Sequence, residues 1–213
     1  MVKLIIVRHG ESKSNENNFF TGQTNVPLSV LGEKQAQILC DYVLKNYKID
    51  KIYSSPLIRA YNTVKPIADK LGLEIIIKDN LKEINGGLWE ERTMEYIKTN
   101  YPSDYALWHT NIGFAHCTGG ESMVDVQKRG DKIIREIARE NEGKTVLIGC
   151  HAGFIRAMQC IWQNLSNEKM QSIPWVANAS ISELVYENDR LVSSSIGYDK
   201  HLSGFLTHLA KDI

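Results

Sequence analysis

The sequence predicts an α/β fold in which a mainly parallel sheet carries helices on both faces. Two observations carry this. Continuous apolar runs, Leu4–Val7 and Thr145–Gly149 above all, read as strands buried on both sides. Between the runs lie amphipathic stretches of helical period, at the spacing of βα units. The absence of any internal repeat, low-complexity tract or linker predicts a single domain over residues 1–213.

With 213 residues, 43% of them hydrophobic, the chain is long enough to bury a sizeable core. Lys and Arg balance Asp and Glu at 25 each, so no net field favours nucleic acid or an anionic membrane as a partner. The apolar start is too short for a signal peptide or a membrane span, and the reading is a cytoplasmic protein. Cys40, Cys117, Cys150 and Cys160 show no Cys-x-x-Cys spacing and read as reduced thiols. Cys150 stands beside His151, but neighbours on a strand point to opposite faces, which argues against a Cys/His pair.

The first strand ends abruptly at Arg8-His9-Gly10. Lys13–Leu28, polar and rich in Asn, reads as a loop. Ser29 caps a helix to about Asn46, with Ala36, Leu39, Cys40 and Val43 on one stripe. Lys51–Ser54 is a second strand. Ser55 and Pro56 then serve as N-cap and first residue of a helix to Leu71, stopped by Gly72, which sets Arg59 in its first turn. Leu73–Ile77 is a third strand, and an irregular stretch follows with Glu83 ahead of Gly86-Gly87. Arg92–Asn100 and Asp104–Thr110 read as short helices; with the loop to Gly120 they form a lid insertion, about residues 92–120. Glu121–Glu142 is a long amphipathic helix, Thr145–Gly149 a fourth strand, and Ala152-Gly153 open a helix to about Gln163. Ile181–Tyr186 and Arg190–Ser195 make a hairpin, and a tail with one helical turn completes the chain.

Three strands are each followed by a group that holds or attacks an anion: Arg8-His9 after the first, Arg59 one turn beyond the second, His151 after the fourth. In a parallel sheet those ends share one edge, where ligands bind. Two Arg, two His and a helix N-terminus there make a cationic hollow suited to a tetrahedral oxyanion. A phosphate monoester needs such parts: neutral His9 to attack phosphorus, Arg8, Arg59 and His151 to hold the oxygens, Glu83 to protonate the leaving oxygen and then activate water. No metal and no cofactor is required. A His/His/Glu metal site is opposed by Arg8 and Arg59, which repel a divalent cation.

Arg8-His9-Gly10-Glu11-Ser12 with Asn15, Pro27-Leu28-Ser29, Ser54-Ser55-Pro56 with Arg59, Glu83-Ile84 with Gly87-Leu88-Trp89-Glu90, Gly119-Gly120-Glu121-Ser122, and Cys150-His151-Ala152-Gly153 together resemble the histidine phosphatase superfamily, in its phosphoglycerate-mutase-like branch. Asn178–Ser182 resembles the late strand of that branch. The resemblance implies a three-layer α/β/α sandwich, His9 as the phosphorylated residue and Glu83 as proton donor. It also implies substrate binding by Asn15, by backbone near Thr21 and Gly22, and by the amide of Ala152. Where family members commonly carry Gly after the Trp-Glu pair, this chain has Glu91, a carboxylate expected near the rim.

The expected activity is hydrolysis of a small phosphorylated metabolite. The alternative is a phosphoglycerate mutase, in which the phosphoryl group returns to a bound sugar acid. Members resembling mutases have a longer insert with paired Arg. Here the centre of the insert reads Tyr105-Ala106-Leu107-Trp108-His109, which favours the phosphatase. A binding module that lost turnover is opposed by the complete residue set. Trp89, Trp108, Trp162 and Trp175 read as core or lid packing and His201 and His208 as surface or packing residues, and a sheet edge or the hairpin offers a surface for a homodimer.

Overall fold

The computed structural model describes residues 1–17 and 19–207 of the chain. Six strands form one sheet among the described residues: β1 (Val2–Arg8), β3 (Lys51–Ser54), β4 (Ile75–Ile77), β6 (Thr145–Cys150), β7 (Ile181–Glu187) and β8 (Arg190–Tyr198), in the order β4-β3-β6-β1-β7-β8. The first four are parallel, and β7 and β8 add antiparallel at one side, so the sheet is mainly parallel as expected.

The period of two along β1 builds both layers of core. Leu4 and Ile6 join a cluster beneath α6 (Met123–Glu140) and α7 (Ala152–Trp162), while Ile5 and Val7 join another beneath α2 (Val30–Asn46) and α3 (Ile58–Leu71). β6 divides likewise, Val146, Ile148 and Cys150 to one side and Leu147 to the other. Burial on both faces is why these strands read as unbroken apolar runs. All four cysteines are free and buried, and burial pushes the Cys150 thiol above its usual range, away from a reactive thiolate.

Several boundaries differ from expectation. The stretch expected as a loop before α2 holds the single-turn α1 (Lys13–Asn17) and β2 (Phe19–Phe20). The Asn15 side chain closes the turn by accepting from the Ser12 amide and hydroxyl. Ser55 is not the N-cap of α3: Leu57 stands there, and the Ser55 hydroxyl oxygen accepts from the Leu57 N–H while also meeting His151 Nε2. Arg92–Thr93 is not helical but forms β5, paired with β2, and Thr93 caps α4 (Met94–Asn100). α5 (Pro102–Thr110) completes the helical part of the insertion. α6 starts at Met123 behind a capping box of Ser122 and Asp125. The tail to Ile213 has a 3-10 segment, Lys200–Phe205, while residues 208–213, and His208 with them, lie outside the described residues. Among the described residues no helix is long and apolar enough to cross a membrane.

Candidate active site

The C-terminal ends of β1 and β6 lie side by side, with β3 next to β6, so Arg8-His9, His151 and the start of α3 converge on one edge of the sheet. A pocket opens there, lined by Arg8, His9, Asn15, Thr21, Gly22, Arg59, Glu83 and Ala152, each expected from the sequence. His151 is the one member of the set behind the lining. It is fully buried, with its ring centroid 5.2 Å from that of His9.

His9 is held by its own turn. Its Nδ1 lies 2.6 Å from the Gly10 carbonyl oxygen, which only accepts, so Nδ1 carries the proton and Nε2 keeps its lone pair. Burial first, then the neighbouring charges of Arg59 and Arg8, drive the His9 pKa well below its usual value and hold the ring neutral. The same burial and the charge of Arg59 depress His151, whose Nε2 meets Ser55 Oγ at 2.8 Å.

Both guanidinium groups are anchored by main-chain carbonyls. Arg8 Nη1 donates to Val176 O at 2.6 Å; Arg59 donates from Nη1 to Thr24 O at 2.8 Å and from Nη2 to Gly22 O at 2.7 Å. Burial brings each down to about 10, so both stay charged at neutral pH. Arg8 Nε, Arg59 Nε and His151 Nδ1 are buried with no partner among the described residues. Such groups are costly in a dry core and natural in a site built for an oxyanion.

Glu83 supplies the carboxylate. Its Oε2 accepts from Gly153 N–H at 3.0 Å, and Oε1 from Phe154 N–H at 3.1 Å and Ile84 N–H at 2.9 Å. The second and third amides of α7 are thereby taken, and the first, on Ala152, is left to the pocket.

Some functional residues were not read from the sequence. Glu90 accepts from the Gln23 amide and the Thr24 hydroxyl, which shapes the loop whose carbonyls grip Arg59. Arg129 on α6 donates to the Lys82 and Glu83 carbonyls and fixes the backbone that carries Glu83. Trp108 and Trp175, expected as packing, wall the pocket beside Phe19 and Phe20. Arg156 stacks beneath Trp175, 4.1 Å from its ring centroid. Trp89 and Trp162 are buried packing residues as expected. Of the insertion at 92–120, Trp108 is the residue that reaches the pocket. Glu91 is exposed and outside the lining; its φ of +59° lies in the left-handed region, which accounts for the expected glycine there.

The strand-end histidines, twin guanidinium groups and anchored carboxylate coincide with the family match: the chain belongs to the histidine phosphatase superfamily (branch 1), whose model covers residues 4–198. The chain is 34% identical to phosphoserine phosphatase 1 of Hydrogenobacter thermophilus over the whole of both chains. It is 29% identical to a glucosyl-3-phosphoglycerate phosphatase of Mycobacterium tuberculosis, over 85% of this chain and 84% of that one. Among solved structures, a mutant phosphoserine phosphatase from Entamoeba histolytica in complex with phosphoserine matches with a TM-score of 0.81 at 26% identity, covering 95% of this chain and all of that one. These relatives are phosphatases of phosphate monoesters.

Proposed function

We propose that this phosphatase hydrolyses a small metabolite bearing one phosphate group, without a metal, through a phosphohistidine on His9. The observation that carries the reading is the neutral, oriented His9, with Nε2 free, packed among Arg8, Arg59 and His151. Nε2 attacks phosphorus in line as the ester P–O bond breaks. The two guanidinium groups and the Ala152 amide take the charge on the phosphoryl oxygens, and the Glu83 carboxyl gives its proton to the leaving alkoxide. The Glu83 carboxylate then takes a proton from water, whose oxygen attacks the phosphohistidine; inorganic phosphate leaves and His9 is restored.

Beyond the phosphate, the lining presents Phe19, Phe20, Trp108 and Trp175, and its two guanidinium groups both belong to the phosphate end. A second phosphate there would meet rings rather than cations. That favours hydrolysis of a monophosphate over the mutase reading, with phosphoserine and phosphorylated sugar acids as the first substrates to assay in view of the named relatives. A panel of phosphoserine, 3-phosphoglycerate, 2,3-bisphosphoglycerate and an aryl phosphate separates release of inorganic phosphate from isomerisation. Release from the monophosphates is expected, with His9→Ala retaining less than about a thousandth of the rate. Isomerisation outpacing release, or an active His9→Ala, contradicts the proposal.

A further inference from the structure

The His9 carbonyl accepts from two donors, Asn178 Nδ2 at 3.1 Å and Ala179 N–H at 3.2 Å. Asn178 is buried and does not line the pocket, so the chemistry above makes no use of it. Its Oδ1 and its main-chain N–H both turn to one residue, Thr207. Asn178 Oδ1 accepts from Thr207 Oγ1 at 3.1 Å, and the Asn178 N–H donates to Thr207 O at 3.1 Å. The Thr207 hydroxyl accepts from the buried Gln35 Nε2 at 2.9 Å, and Gln35 Oε1 accepts from Glu11 N–H at 2.8 Å.

The chain of bonds therefore leaves the backbone at His9 and returns to it at Glu11. Between the two ends lies Gly10, whose carbonyl orients the His9 ring and whose N–H donates to Thr63 Oγ1 at 2.9 Å. Next to Asn178, Ala179 takes a φ of +54°, which an alanine holds only under constraint, and its carbonyl accepts from His201 Nε2 at 3.1 Å. His201 is thus more than a packing residue.

We infer that Asn178, locked by Thr207, is a positioning residue that sets where His9 Nε2 stands relative to the bound phosphate. The inference rests on the reading of His9 as the nucleophile. It makes the segment from Lys200 to Thr207 part of the working enzyme, although none of it lines the pocket. Displacing a nucleophile by about 1 Å costs on the order of 100-fold in rate, whereas phosphate affinity is set by Arg8 and Arg59.

The test compares full-length Asn178→Ala, Thr207→Val and Thr207→Ser with the unaltered chain. The readouts are kcat and KM on an aryl phosphate and competitive inhibition by inorganic phosphate. Asn178→Ala is expected to lower kcat about 30- to 100-fold, and Thr207→Val about tenfold, with KM and phosphate inhibition within about twofold. Thr207→Ser, which keeps the hydroxyl, is expected to restore kcat to within about threefold. A folded Asn178→Ala with kcat within about threefold of the unaltered chain overturns the inference. So does a loss of phosphate affinity in step with kcat, which marks collapse of the pocket. Where Asn178→Ala does not fold, the two Thr207 variants decide by the same measures. His9→Ala is run alongside: if it is active, the nucleophile reading fails first, and if it is dead while Asn178→Ala is active, this inference alone falls.

Discussion

At the scale of single residues, the site depends on keeping one imidazole neutral and aimed. The pKa depressions of His9 and His151 come from burial and from arginine neighbours, so the unfolded chain binds more protons than the folded one below about pH 6.5. Stability is therefore present above that pH and is lost as the pH falls toward the folded values. The melting temperature is expected to drop between pH 7 and pH 5, with a shallower slope in His9→Gln/His151→Gln, as scanning calorimetry checks. In the same window kcat at saturating substrate is expected to show no acid loss centred on the ordinary histidine value, and such a loss would contradict a neutral resting His9. The residues proposed to do the chemistry line up at one edge because each follows a strand, opens a helix beyond one, or sits in a Gly-rich turn, and that placement was legible. The roles of Glu90, Arg129 and Asn178 were not, because the bonds that define them, to partners 46 to 169 positions away, leave no local pattern.

At the scale of elements, the site is an arrangement of helix starts and strand ends. α7 begins directly behind His151, and its Gly153 lets the Glu83 carboxylate approach the helix: a Cβ at that position would overlap Glu83 Oε1. Gly153→Ala is expected to displace Glu83 and lower kcat by at least about tenfold while His9 still takes up phosphate from an aryl ester, because a good leaving group needs no acid. A pre-steady-state burst of aryl alcohol ahead of a slowed steady state checks this, since Glu83 also activates the water of the second step; loss of the burst itself would contradict it. The N-cap of α6, whose side-chain bonds run between Ser122 and Asp125, gives the control. Ser122→Ala removes its capping box and is expected to cost about 1 kcal/mol, a fall of ~2–4 °C in melting temperature, with kcat unchanged. Long elements were read well because they carry a period. α1 spans five residues and β2 and β5 two each, too short to show one, and they form because Asn15 closes a turn and Phe20 packs edge-to-face on Trp89 and Trp108.

At the scale of the whole molecule, a chain of zero net charge concentrates two guanidinium groups and two imidazoles at one sheet edge. The mainly parallel order delivers β1, β3 and β6 to that edge, so residues 8, 59 and 151 meet although sequence keeps them far apart. That convergence was readable in advance, since the C-terminal ends of parallel strands must align. The aromatic wall was not, because Phe19, Trp108 and Trp175 come from three separate segments of no shared pattern. The most direct test of the account is to mix the protein with excess phosphoserine or aryl phosphate in the presence of EDTA, quench in base within the first turnover, and map the phosphorylated peptide by mass spectrometry. A single phosphoryl group on His9 is the expected result. A label on any other residue, or turnover that needs a divalent metal, would contradict it.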